Sequence, residues 1–388
     1  MRPKDVVVVR PGRSIPDWWH ASVLLAGPAT GRGPMLPWQN DAVAALRRQW
    51  SAPGRLVIFV PQVPAADYSR VDETAWLDTR AAHADVILFW LAADARPQSR
   101  SVSHILWGSS ETTGRVVLGV PGNGQHETYL KGRAERRGIP LASTLEESVH
   151  NALVMVGNGA RREGSHRDIP LPLWRTASFR HWLASVETAG HTLEGAEVAW
   201  SVRPSPSAGV FLWAVKPRIT VRGEDRVKEN EFVLGRTDSV CVVAYRPHDD
   251  PGKTEVVLVR EFRSPAVTGD GYVHELPGGS HPGSASPVEA AQAELAEETG
   301  LRVDVGRLRR HGVRQPVGAL TAHRQHLFSV ELTEEELDGV RTPGRTFGLA
   351  ADGERTTVEV RPYGEILADE LVDWTTLGQI AAIVNEPR

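Results

Sequence analysis

One stretch constrains this chain more than any other. Gly278-Gly279-Ser280-His281-Pro282-Gly283-Ser284-Ala285 is a Gly/Pro-rich turn that runs directly into a strongly marked helix. Ser286 is placed to cap that helix, Pro287 suits its first position, Glu289 sits where a capping box wants a carboxylate, and Gly300 supplies the stop. The signals predict a helix over 287–299. Within it Glu294, Glu297 and Glu298 fall at i, i+3 and i+4, so their carboxylates share a face, while Val288, Ala291 and Leu295 take the core-facing side. Three like charges in one turn repel by about 1 kcal/mol per pair in water and about 4 near a low-dielectric wall, and a hard divalent cation reverses that cost. Oxygen donors with no Cys or His on the helix itself favour Mg2+ or Mn2+ over zinc. Three glutamates alone would equally describe a solvated acidic face; the double-glycine loop before them tilts the reading towards a ligand site.

In that context Gly-Gly, a loop, and Glu294-Leu295-Ala296-Glu297-Glu298-Thr299-Gly300-Leu301 resemble the Nudix box. The flanking Glu275-Leu276-Pro277-Gly278-Gly279 looks like the ADP-ribose pyrophosphatase branch of that family. The resemblance covers about 198–388 and implies an α/β/α sandwich with a mixed sheet. It makes Glu294 and Glu298 the main metal ligands, with Glu297 beside them and the Gly278 carbonyl as a further oxygen, and it adds Glu275 to the substrate-binding set. Related pyrophosphatases carry another acidic residue on a late loop, which 348–354 fits here; Glu354 is then the candidate general base and Asp352 the second choice. Glu354 also reads as an ordinary turn residue. Arg260 and Arg263, before the box, are candidates to grip a phosphate from one face, or plain surface arginines. Such chemistry needs charge neutralisation, in-line orientation and a proton acceptor, because a pyrophosphate resists attack chiefly through its charge.

Three positions depart from the family pattern. Ala285 replaces the first glutamate of the box and Ala293 its arginine, a joint loss that avoids stranding one buried charge at a cost of about 3–5 kcal/mol. His323 stands where pyrophosphatase relatives often carry a glutamate, which leaves the nucleotide open.

The N-terminal part has a different rhythm. From Val23 to about Val156 short apolar runs alternate with helical patterns, as in a doubly wound parallel sheet with its crevice at the carboxyl ends of the strands. Expected strands are 23–26, 56–61, 86–91 and 115–120, with helices near 41–50, 71–84 and 127–137. Leu24-Leu25-Ala26-Gly27-Pro28, Asp85-Val86-Ile87-Leu88-Phe89-Trp90 and Gly114 to Pro121 are together similar to nucleoside 2-deoxyribosyltransferase-like domains. That similarity makes Gly27, Pro28 and Asp85 candidate nucleoside contacts. The family's attacking glutamate falls on Leu106, and a second site that is usually acidic falls on Leu77; Glu111 and Asp72 are the nearest carboxylates in sequence. The expected domains are 1–156, a linker with a connecting helix over 157–197, and 198–388. In the connector, Trp174, Phe179, Trp182 and Leu183 read as packing residues.

The 388 residues suffice for two domains that each bury a core without staples. A net charge of −4 argues against nucleic acid as a partner. The lone cysteine, Cys241, lies in an apolar strand pattern, which excludes a disulfide framework. Four valines before Arg10 are too few for a leader, and the apolar run 86–93 is too short to cross a bilayer, so a cytoplasmic location without membrane association is expected. The expected partner is a small-molecule nucleotide, with a homodimer as the candidate assembly. Three functions stay open: a metal-dependent pyrophosphatase acting on an ADP-ribose-like or NAD-like molecule, a non-catalytic nucleotide sensor, and a bifunctional enzyme that also cuts an N-glycosidic bond.

Overall fold

The computed structural model describes residues 5–28, 36–61, 70–91, 100–122, 125–203, 209–280, 286–341, 346–348 and 355–386. Contacts divide the chain into two compact units, Met1–Leu234 and Gly235–Arg388.

In the first unit the described strands form a parallel sheet in the order Val6–Val9, Leu56–Phe59, Ala21–Ala26, Val86–Trp90, Val116–Gly119 and Leu141–Ala142. Its inner strands are apolar at nearly every position because both faces are covered. Val23, Leu25, Ile58 and Leu88 pack on one side with Ala42, Leu46 and Val149 from the helices Pro37–Gln49 and Leu145–Val156. Leu24, Val57, Ile87 and Phe89 pack on the other with Ala81, Leu106 and Leu130 from Arg70–His83, Arg100–Ser110 and Gln125–Arg136. This is the expected doubly wound architecture with further elements added, among them the strand Leu141–Ala142 and the helix Leu145–Val156. The valines at 6–9 pair in parallel with Leu56–Phe59 as an edge strand, and Arg100–Ser110 is a helix that the periodicity did not announce. Leu106 and Leu77 are core residues on that second side.

Asp85 corrects an expectation. Its carboxylate is buried and receives both arms of Arg162 (2.7 and 2.6 Å), the Ser22 N–H and hydroxyl (2.8 and 3.1 Å) and the Leu171 N–H (2.8 Å). With its oxygens filled by protein partners, Asp85 fastens the sheet to the segment 162–171 instead of meeting a nucleoside. Gly27 also has a packing reason: a Cβ there would stand 2.4 Å from the Trp90 carbonyl and 3.0 Å from the Trp38 ring. Pro28 beside it is buried, and the residues that follow, 29–35, lie outside the described ones.

The connector forms two helices, Leu171–Trp174 and Ala177–Thr188, where one was expected over 173–187. Phe179 and Leu183 are buried, and Trp213 from the long antiparallel pair Thr192–Val202 and Leu212–Thr220 donates to the Ser178 hydroxyl at 2.9 Å. This hairpin belongs by its contacts to the first unit, although the sequence placed 198 onwards with the C-terminal domain.

The second unit holds a mixed sheet. Ser239–Arg246 runs parallel to Gln325–Glu331 and antiparallel to Glu255–Phe262 and Gly278–Ser280; Glu255–Phe262 also pairs with Tyr272–Glu275 and Thr356–Pro362. Val240, Val242 and Val257 face the helix Pro287–Thr299 through Ala291 and Leu295, while Cys241, Val243, Val256 and Leu258 face Trp374–Val384 through Ile380 and Ile383. Strand alternation thus gives the helix–sheet–helix sandwich that was expected. Burial pushes the Cys241 thiol up to about 12, which leaves it inert in the core.

Candidate functional site

The helix Pro287–Thr299 has the start that its sequence promised. The Ser286 side chain accepts from the Glu289 N–H, the Glu289 carboxylate accepts from the Ser286 N–H, and Gly300 ends the helix at φ +78°. Its acidic residues sit against the short strand Gly278–Ser280. Val242 N–H donates to the Pro277 carbonyl at 2.9 Å, so the neighbouring pair Cys241 and Gly278 is the non-hydrogen-bonded kind, with the Gly278 N–H and carbonyl turned away from Ser239–Arg246. The freed Gly278 N–H donates to Glu298 Oε2 at 2.8 Å.

The two glycines make different contacts, Gly278 with backbone and Gly279 with a side chain. A Cβ at Gly278 would stand 2.2 Å from the Val240 carbonyl oxygen and 2.9 Å from Cys241 Cα; one at Gly279 would stand 2.2 Å from Glu294 Oε1. The Gly279 backbone is therefore a cradle for the Glu294 carboxylate. Glu298 is buried, with 5% of its surface exposed, and Glu294 and Glu297 are half-buried. The expectation of three carboxylates on an open face holds for position in sequence and not for exposure.

Strand parity separates the two arginines. Val257 faces the Pro287–Thr299 side and Leu258 the other, so residues three apart cannot share a face. Arg260 pairs with Asp270 at 2.6 Å and lies 3.9 Å over the Tyr272 ring. Arg263 instead meets Glu261 and Glu275, both at 2.9 Å. Burial pulls the Arg263 guanidinium down, but Glu275, Glu261 and nearby Glu298 outweigh it and hold it above its ordinary pKa. The single-face phosphate grip expected of Arg260 and Arg263 is thus corrected. Glu261, buried on the sheet face that sequence reserves for apolar residues, is a member of this cluster that the sequence reading missed; its i, i+2 spacing to Arg263 was the available signal.

The site therefore combines Glu261, Arg263, Glu275, Gly278, Gly279, Glu294 and Glu298. Glu354, Asp352 and Ala285 lie outside the described residues. Ala293 is exposed, so its small side chain leaves no hole in the core. His323 is half-buried, and burial with nearby Arg236 lowers its pKa against the opposing pull of Asp238. Among the described residues no three His, Cys, Asp or Glu side chains are gathered to hold a metal ion. The carboxylates of Glu294 and Glu298 beside the strand Gly278–Ser280 are hard oxygen donors of the kind that suit Mg2+ or Mn2+.

Residues 235–375 match the family model for the NUDIX domain. Over these residues the second unit is similar to Nudix domains. Its match starts at Gly235, where the second compact unit begins, and includes the Gly278–Gly279 cradle and the acidic helix. Nudix domains are the folds of pyrophosphatase-type hydrolases of nucleoside diphosphate derivatives, which generally use divalent metals such as Mg2+. No curated protein matches the chain. Among the described residues no helix is long and apolar enough to cross a membrane.

Proposed function

We propose that the Nudix domain hydrolyses the pyrophosphate bond of an ADP-ribose-like or NAD-like molecule with Mg2+ or Mn2+. The observation that carries this reading is the Glu298 carboxylate, held on the Gly278 N–H beside the Gly279–Glu294 cradle. Glu294, Glu298 and the Gly278 carbonyl would hold the metal, with Glu297 beside them. When bound, a divalent metal neutralises phosphate oxygens and favours in-line displacement by water.

The chain's own residues supply position and proton transfer. The Gly278 N–H fixes one oxygen of Glu298, so that the side chain does not have to be ordered during turnover. Arg263 offsets part of the negative charge of Glu261, Glu275 and Glu298 in this partly buried site. Glu275 is then bound to Arg263 and contacts substrate through its remaining oxygen. Glu354, with Asp352 as second choice, takes the proton of the attacking water. Arg260, on the opposite sheet face and stacked on Tyr272, serves substrate only at its outer edge.

The first unit is proposed as a deoxyribosyltransferase-like nucleoside-binding domain without glycosidic cleavage, with Gly27 and Pro28 at the carboxyl end of Ala21–Ala26 as its floor. Leu106 packs in the core and has no lone pair with which to attack a sugar carbon. Glu111 is engaged by Arg133 and Arg137, and its hydrogen bond from Arg133 holds its pKa below the ordinary carboxylate value. Incubation of the whole protein with nucleoside diphosphate derivatives and Mg2+, with products resolved by mass, tests the reading. It predicts AMP and a sugar phosphate from ADP-ribose; absence of turnover across the panel would leave a sensor.

A further inference from the structure

In the first unit a cavity of about 790 Å³ opens at the amino ends of the parallel strands, beside Asp85, Gly114 and Val116 and the last turns of Gln125–Arg136 and Leu145–Val156. It lies at the opposite end of the sheet from Gly27 and Pro28, and its volume falls in the range of about 300–1,000 Å³ common for small-ligand sites. Ile139, Met155 and Val210 give it apolar wall.

Its charge is unbalanced. The Nε of Arg203 is buried without a hydrogen-bond partner, and burial alone, with no carboxylate opposing it, pulls the guanidinium below its ordinary pKa. The guanidinium lies over Gly114, at φ +67°, where a Cβ would stand 3.0 Å from Nε and 3.1 Å from Cζ. Arg175 donates to the Val156 carbonyl, and burial, with Arg162, lowers its pKa against the opposing pull of Asp85. The acidic residues of the lining are engaged by other arginines or exposed, and none of them opposes the burial of Arg203. Asp85 is closed by Arg162, Glu111 by Arg133 and Arg137, and Glu135 stands exposed on the rim beside Arg136. A buried guanidinium N–H without a partner is costly, and an oxyanion in the cavity removes that cost.

We propose that this cavity binds a small organic phosphate, with the phosphoryl group taken by Arg203 and Arg175 and the body of the molecule against Ile139, Met155 and Val210. A phosphate dianion matches two guanidiniums better than a carboxylate does, and the planar forks of arginine suit its oxygens. The site is independent of the Nudix reading and requires no divalent metal.

The test is calorimetric titration of the whole protein in excess chelator with AMP, ribose 5-phosphate, inorganic phosphate and adenosine. Saturable AMP binding at least tenfold tighter than that of adenosine is expected. Arg203→Gln should weaken AMP at least tenfold at unchanged melting temperature, Arg203→Lys should weaken it less, and ADP-ribose turnover in Mg2+ should stay as in the parent. Should Arg203→Gln misfold, arginine modification of the parent by phenylglyoxal decides, with AMP expected to protect Arg203. Equal binding of AMP and adenosine, no saturable phosphate binding, a folded Arg203→Gln variant that binds normally, or no protection of Arg203 would overturn the proposal.

Discussion

The backbone N–H of Gly278 donates to the carboxylate of Glu298 at 2.8 Å, which ties the last turns of an acidic helix to a strand twenty residues earlier. Glu298 is thereby a structural acceptor as well as a candidate metal ligand. Removing its charge is expected to touch both stability and rate. Glu298→Gln keeps an amide oxygen that can accept the Gly278 N–H, so the loss of stability should be about 1 kcal/mol, while turnover should fall by at least about 100-fold. Urea unfolding and steady-state rates on the same preparation measure the two effects, and a stable variant with normal turnover would remove Glu298 from the site.

The two adjacent glycines should fail in different ways. An added methyl at Gly279 meets the far end of a flexible side chain, the Glu294 carboxylate, which can swing away; Gly279→Ala should fold and lose most activity. An added methyl at Gly278 meets the backbone of Val240 and Cys241, which cannot move without breaking the strand pair. Gly278→Ala should cost about 1–3 kcal/mol or more. Melting temperatures and rates of the two variants separate these outcomes, and equal stability losses would contradict the cradle.

Glu354→Gln should slow the chemical step by about 100- to 10,000-fold, the usual worth of general-base catalysis. Metal affinity should change much less. Single-turnover rates and a metal titration are the checks, and a normal rate would move the role to Asp352.

Asp85→Asn should destabilise the first unit by about 3–5 kcal/mol, because it leaves the fully buried Arg162 guanidinium without its counter-charge. A nucleoside contact would instead weaken ligand binding at constant stability. Chemical unfolding followed through the tryptophans of the first unit discriminates the two.

Glu336, in the first turn of the helix Glu334–Val340, offers a pH test. The Arg307 guanidinium, aided by the Thr333 N–H, holds the Glu336 carboxyl down to about 2 against an ordinary 4.5, with its slight burial opposing. Because the folded value is the lower one, the stabilisation is complete above about pH 4.5 and is lost as pH falls towards about 2. Glu336→Gln should therefore be less stable than the parent at neutral pH and indistinguishable from it near pH 2. A gap that widened on acidification would contradict the pairing.

Local signals were the legible ones. The limits of Pro287–Thr299 follow from Ser286, Pro287 and Gly300, which act within one turn, and Gln325–Glu331 follows from its own apolar pattern. What escaped depends on partners far along the chain. Val6–Val9 becomes a strand because Leu56–Phe59 offers an edge, Asp85 is closed by an arginine 77 residues later, and Glu298 is buried by Gly278. Arg260 and Arg263 were given one face although an odd spacing on a strand puts them on two. Residues from 198 were placed with the second domain because the pattern changes to longer strands joined by turns, whereas the contacts of the hairpin 192–220, among them those with Ala177–Thr188, group it with the first unit.

Cleavage of a pyrophosphate bond is the proposed activity of the site. The most direct measurement is hydrolysis of ADP-ribose in heavy-oxygen water with Mg2+, read by mass spectrometry. The account predicts one labelled oxygen in one of two phosphomonoester products, no free base, and loss of both products in Glu298→Gln. Release of free base, label on the ribose instead of on a phosphate, or undiminished products from Glu298→Gln would contradict it.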